Sequence, residues 1–202
     1  MLPVRALSTV SIAGTGVADT DEERRSRAMK WMRGWVNLQS RNRPNAAVVF
    51  DVDHTLVEPS RDNPVVQVPI PSVCEFYRHC HARSIQCFIV TARLDFEDGR
   101  KVLRALLRDI GAEGVRAMYL RPGAVRPTIP NLAEFKSQCR KDIEQRFGVS
   151  VVANIGDNWH DLIKPPFSDE HHALWDLDDR HSFVGVLEDG EAVVKLPGAA
   201  RG

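Results

Sequence analysis

The sequence predicts one α/β domain: a Rossmann-like parallel sheet with helices on both faces, closed by a C-terminal β-hairpin. Three observations carry that prediction. Four short apolar runs, at residues 46–50, 85–90, 115–120 and 149–155, read as buried parallel strands. Segments with helical periodicity separate them, and this alternation places crossover helices on both faces of a parallel sheet. The chain has 202 residues, which is room for one domain of ordinary size.

Residues 1–18 are small and weakly apolar, and Ser, Thr and Gly interrupt any hydrophobic signal region. They are expected to form a flexible tail, with a single domain over residues 19–198. Residues 21–39 read as a helix. Asp19, Thr20 and Asp21 offer N-caps, and Glu22 and Glu23 suit a first turn. Ala28, Met32, Trp35, Val36 and Gln39 form a stripe joined by Trp31, while Arg24, Arg25, Arg27 and Lys30 lie on the other face. This helix either packs on the domain or forms a homodimer contact. A Pro-, Asn- and Ser-rich loop over 58–71 follows the first strand, then a helix over 72–83. After the second strand, a helix over 96–110 carries Val102, Leu103, Leu106, Leu107 and Ile110 on one face. A proline-rich loop over 121–130 leads to a helix over 132–147, closed by Gly148. Residues 183–187 and 192–196 flank an acidic turn and read as the hairpin.

Composition narrows the function. With 43% hydrophobic and 27% charged residues, the chain is not a disordered one. No apolar run reaches the ~18–20 residues of a membrane span. Formal net charge is zero, so nucleic acid is not an expected partner. The last 52 residues hold ten acids against four bases, and the first 50 hold eight bases against four acids. Cys74, Cys80, Cys87 and Cys139 form no C-x-x-C pair and read as reduced, buried thiols, which points to the cytoplasm. Cys74, His79, Cys80, His81 and Cys87 match no common zinc spacing.

In open α/β sheets, ligands bind beyond the carboxyl ends of the strands. The first strand ends in Asp51-Val52-Asp53-His54-Thr55 and the second in Thr91-Ala92-Arg93. The helix after the third strand bears Lys136, and the fourth strand ends in Gly156-Asp157-Asn158-Trp159-His160-Asp161. Four acids, a hydroxyl and an ammonium thus share one edge. Clustered carboxylates repel unless a cation offsets them, and hard oxygen ligands suit Mg²⁺. A metal, a lysine and a hydroxyl facing one another make a pocket for a phosphoryl group. One carboxylate can then attack phosphorus, and another can act as general acid and base.

These motifs, in this order, resemble the haloacid dehalogenase-like (HAD) superfamily over roughly residues 46–165. Phe135-Lys136 with Arg140 downstream, the segment from Asn154 to Leu162, and Lys195-Leu196-Pro197 are similar to the subfamily IIIB (class C-like) acid phosphatases, which include plant vegetative storage proteins. His54, Ala92 and Asn158 depart from the usual subfamily residues, and none removes a catalytic group. The resemblance implies that Asp51 is the nucleophile and a Mg²⁺ ligand. Asp53 then serves as general acid and base and lends its carbonyl to the metal. Thr91 and Lys136 bind the phosphoryl oxygens, Asp157 binds Mg²⁺, and Asp161 does so directly or through water. Thr55, Ala92 and Arg93 complete the expected substrate-binding set. Neither interval between motifs has room for a large cap domain, so an open site is expected, with a phosphorylated small molecule or a phosphoprotein as substrate. The alternatives are a nucleotide-specific phosphatase, a phosphate-binding or storage protein on the same fold, and a receiver-type signalling domain, against which Asp53 and the late Gly156-Asp157 motif argue.

Overall fold

A computed structural model describes residues 8–10, 20–162, 183–186 and 191–197. The elements in chain order are β1 (Ser8–Val10), α1 (Asp21–Asn42), β2 (Ala46–Phe50), β3 (Val57–Pro59), β4 (Gln67–Pro69), α2 (Pro71–Ala82), β5 (Gln86–Leu94), α3 (Glu97–Asp109), β6 (Ala117–Arg121), α4 (Ile129–Phe147), β7 (Ser150–Gly156), β8 (Phe183–Val186) and β9 (Ala192–Lys195).

Among the described residues the main sheet has seven strands in the order β1-β8-β9-β7-β2-β5-β6. Strands β9, β7, β2, β5 and β6 run parallel. β8 returns antiparallel to β9, with Phe183 opposite Lys195, which is the expected hairpin. Because β9 also pairs with β7, the hairpin extends the main sheet rather than standing apart from it.

Alternation along β2 divides the core. Ala46, Val48 and Phe50 face α1, α2 and α3, packing with Met29, Met32, Phe76, Leu103 and Leu107. Ala47 and Val49 face α4, packing with Phe88, Cys139 and Ile143. Among the described residues, helices therefore cover both faces, three on one and one on the other. α1 is fixed at its start by a capping box, in which Thr20 Oγ1 accepts from Glu23 N and Glu23 accepts from Thr20 N. It is pinned to the sheet by Trp35 Nε1, which donates to the Val152 carbonyl at 3.0 Å. α4 ends on Gly148 at φ 62, a left-handed stop that suits a residue without Cβ.

Several boundaries differ from expectation. α2 and α4 begin earlier, because Pro71 and Pro130 fall in the first helical turn, where a missing N–H costs nothing. The loop expected over 58–71 contains a small antiparallel ribbon, β3 with β4. Within the expected tail, Ser8–Val10 pairs with β8 as an edge strand. The rest of that tail and the 187–190 turn lie outside the described residues. All four cysteines are buried and free, as expected. No helix among the described residues is long and apolar enough to cross a membrane.

Candidate active site

The loop after β2 is tight. The Val52 carbonyl accepts from the N–H groups of Thr55, Leu56 and Val57 at 3.3, 2.9 and 3.1 Å. His54 takes the left-handed conformation at φ 57, a departure most often found at sites that need a sharp turn. Asp51 N donates to the Ile155 carbonyl at 2.9 Å, so the end of β2 is tied to the end of β7.

β7 ends on Gly156, and a single 3₁₀ turn over Trp159–Asp161 follows. A Cβ at position 156 would lie 2.5 Å from Asp161 Cβ and 2.6 Å from Asp161 Oδ2. Only glycine lets that carboxylate fold back over the strand end. Asp161 Oδ2 accepts from Asn158 N at 3.1 Å, which fixes the turn.

α4 delivers Lys136, which is 2% exposed. Its Nζ donates to Asp51 Oδ1 at 2.7 Å and also to Asp161 Oδ1. Arg140, one turn on, donates through Nη1 to the Asp161 carbonyl at 2.6 Å. Asp51, Asp157 and Asp161 are all buried, and each offers an oxygen within 4.8 Å of the others'.

The electrostatics follow from this crowding. Burial pushes the Asp51 carboxyl up to about 7 against the pull of Lys136, and Asp161 adds to the rise. Burial pushes Asp157 up to about 8, with Asp161 and Asp51 adding repulsion. Burial also works against the Asp161 carboxylate, yet Lys136 and His160 hold it below the usual carboxylate value. Burial opposes the charge on Lys136, but Asp161 and Asp51 keep it protonated above the usual lysine range. Three carboxylates thus share one ammonium, and the cluster is short of positive charge at neutral pH. An all-oxygen donor set of this kind can coordinate a divalent cation.

The remaining predicted residues lie around this cluster. Arg93 Nε and Nη2 donate to both oxygens of Asp53, with Nη2 at 2.6 Å from Oδ1 and Nε at 3.0 Å from Oδ2. The Asp53 side chain is 46% exposed, unlike the three buried acids. Thr91 is fully buried, and its Oγ1 accepts from Arg93 N at 3.3 Å. Thr91 to Leu94 is where the β5–β6 register shifts, and the Ala92 carbonyl there accepts from Arg121 Nε at 3.0 Å. Thr55 is fully buried, and its hydroxyl has no partner among the described residues.

Trp159, in the 3₁₀ turn, is 4% exposed. The guanidinium of Arg93, expected to bind substrate, is paired with Asp53. Sequence reasoning gave no role to Arg140, although it noted the residue; its signal was its place one helical turn after Lys136.

The family model described as HAD superfamily, subfamily IIIB (Acid phosphatase) matches residues 63–199. The match starts after the Asp51–Thr55 loop and runs past Lys195-Leu196-Pro197. Two solved structures are similar in fold. One is the class C acid phosphatase from Bacillus anthracis with tungstate bound, with TM-score 0.67 and 14% identity, covering 91% of this chain and 80% of that one. The other is a second structure of the class C acid phosphatase from Bacillus anthracis, with TM-score 0.65, 14% identity and the same coverage. No curated protein sequence matches the chain significantly.

Proposed function

This chain belongs to the HAD superfamily, subfamily IIIB (acid phosphatase), and we propose that it hydrolyses phosphomonoesters with Mg²⁺ through an aspartyl-phosphate on Asp51. The observation that carries the reading is Lys136, whose ammonium bridges Asp51 and Asp161 beside a third buried acid, Asp157. Asp51 and Asp157 would hold Mg²⁺, with Asp161 adjacent. Bound there, the cation supplies the positive charge that phosphoryl oxygens need as they approach three carboxylates.

The chain's own residues divide the work. Lys136 holds Asp51 Oδ1, which leaves Oδ2 to attack phosphorus. As that O–P bond forms, the bond to the leaving oxygen breaks, and Asp53 donates its proton to the leaving group. Asp53 then takes a proton from the incoming water, whose oxygen attacks phosphorus; phosphate leaves and Asp51 is restored. Lys136 and the Thr91 hydroxyl neutralise and hydrogen-bond the phosphoryl oxygens, and the unpartnered Thr55 hydroxyl is a further donor at the pocket. Arg93 keeps Asp53 oriented until substrate arrives.

The absence of a large cap among the described residues supports an open site that takes a phosphorylated small molecule or a phosphoprotein. Four free, buried thiols support a reducing, cytoplasmic setting. Trp31 and Trp35 stack at 5.6 Å beside Leu38, which is 51% exposed, and this supports pairing of two copies through α1. The test is phosphate release from p-nitrophenyl phosphate with Mg²⁺, with EDTA, and by Asp51→Asn. Turnover that needs Mg²⁺ and disappears in the variant is expected. Turnover that survives in Asp51→Asn would overturn the covalent route, and no turnover by folded, Mg²⁺-loaded protein would favour a binding or storage role.

A further inference from the structure

β6 ends the strand order, so one long side of Ala117–Arg121 has no strand partner among the described residues. An edge of this kind presents a row of unpaired backbone N–H and C=O groups. Two cavities flank it. The first, about 280 Å³, is lined by Arg100, Arg104, Leu107 and Arg116 and lies on the α3 side. The second, about 590 Å³, is lined by Arg100, Arg116, Tyr119, Phe135, Arg146 and Phe147 and lies on the α4 side. Both include Ala117 and Met118, so they open onto the two faces of one strand.

Arginines predominate at this edge, where the nearby acids are Asp95, which lines the second cavity, and Asp142, which accepts from the Tyr119 hydroxyl at 2.6 Å. Arg100 is engaged by Asp95 at 2.5 and 2.6 Å. Among the described residues no carboxylate pairs with Arg104, Arg116 or Arg146. Two of them gather on one ring: the guanidinium of Arg116 lies 5.5 Å from the Phe147 centroid and that of Arg146 lies 5.6 Å from it. The ring holds both cations in place by cation–π attraction and leaves their outer donors free.

We propose that the β6 edge is a docking site for an extended acidic peptide segment of a partner protein, which adds as an eighth strand. The backbone of Ala117–Arg121 supplies the hydrogen-bonding rail. Alternate side chains of the added strand fall on opposite faces, toward Arg104 and Arg116 on one and toward Arg146 and Arg116 on the other. The unpaired strand edge favours a peptide over a nucleic acid, which would use the arginines and leave the backbone groups unmet. Charge alone would also blunt the edge against self-association, but that needs no cavities on both faces and no ring clamping two guanidiniums. β6 runs toward the strand ends that carry the site, so a docked segment lies along the strand that leads into the 122–128 loop. The docking does not depend on the hydrolysis proposed above.

The test is fluorescence anisotropy of the full chain with a labelled, capped seven-residue peptide of five glutamates and two valines, with glutamates on both strand faces. Controls are the same peptide with one valine replaced by proline, and an oligouridylate of equal charge. Saturable binding is expected, weakened at least about tenfold in Arg116→Glu/Arg146→Glu and in Arg104→Glu. The proline peptide, which lacks a backbone donor at equal charge, is expected to bind at least about tenfold more weakly. Turnover of a small phosphomonoester, where present, and the melting temperature should be unchanged in these variants, which shows that they fold. Equal binding of the proline peptide or of the oligouridylate would overturn the proposal in favour of simple polyanion binding. No binding by the folded wild-type chain would overturn it outright.

Discussion

Replacing Lys136 by methionine keeps the length of the side chain and removes its charge. In the wild-type site one buried ammonium touches both Asp51 and Asp161, with Asp157 near by. At an effective dielectric of about 20, two unit charges ~4 Å apart interact by about 4 kcal/mol. The loss is smaller than two such terms, because freed carboxylates take up protons. Removing one partner of a buried pair costs about 3–5 kcal/mol. For a domain of this size each kcal/mol moves Tm by about 2–4 °C, so the metal-free variant should melt about 6–20 °C lower at pH 8.

The pH dependence sharpens the test. Without Lys136 the penalty comes from unpaired carboxylates, so it shrinks at pH 5, where protonation removes their charge. A divalent cation bound at the cluster would supply the missing charge, so Mg²⁺ should raise Tm more in Lys136→Met than in the wild type. Thermal unfolding with EDTA and with saturating Mg²⁺, at pH 5 and pH 8, reads all three effects. A Tm drop equal at both pH values and unaffected by Mg²⁺ would refute the charge-deficit account and reduce Lys136 to packing.

Three further outcomes are expected. Asp51 and Asp157 have carboxyls raised to about 7 and about 8 from 3.8, so their contribution to stability is full below about pH 3.8 and is lost as pH rises toward 8; Asp161, lowered, contributes above that point and loses its share as pH falls. The EDTA-treated wild type should therefore lose Tm between pH 5 and pH 8, and saturating Mg²⁺ should abolish that loss; a flat EDTA profile would count against the buried cluster. Arg93→Ala removes a half-exposed bidentate pair worth about 1 kcal/mol, so kcat on an alkyl phosphate should fall about fivefold while p-nitrophenyl phosphate, whose leaving group needs little protonation, changes less than about twofold. A rise in KM alone on both substrates would return Arg93 to substrate binding. Gly156→Ala places a methyl group 2.5 Å from Asp161 Cβ and should cost about 1–3 kcal/mol in unfolding experiments while weakening Mg²⁺ binding measured by calorimetry.

The middle of the sheet was legible because β2, β5 and β7 are buried over most of their length and therefore read as largely apolar runs. β2 is buried at every position, and its sequence could hardly be anything else. The pieces that escaped are those whose stability comes from a neighbour. Ser8–Val10 is three residues long and exists as a strand because β8 supplies its partner. The β3–β4 ribbon is equally short, with a proline in each strand. In the site, the order of motifs after successive strands brought Asp51, Lys136 and Asp157 to one edge on paper. That Lys136 reaches two acids at once, and that Arg93 turns to Asp53, depends on how α4 and β5 sit against β2, and no local pattern encodes it.

The contrast between Asp51 and Asp53 shows how two acids two residues apart come to differ. Asp51 continues directly from a fully buried strand, so its carboxylate is enclosed and its Oδ1 is held by a lysine that is itself buried. Asp53 lies within the turn closed on the Val52 carbonyl, next to the left-handed His54, with its side chain 46% exposed. In the mechanism proposed above, Asp51 as nucleophile gains from fixed position, because the geometry of attack is narrow, and Asp53 is the proton carrier. A group that gives a proton to one oxygen and later takes one from another needs reach and a partner it can leave. A half-exposed arginine pair meets that need, since solvent screening makes it cheap to open. The tight loop is therefore what lets one short segment place both groups, and the left-handed residue at position 54 is part of the cost of making that turn.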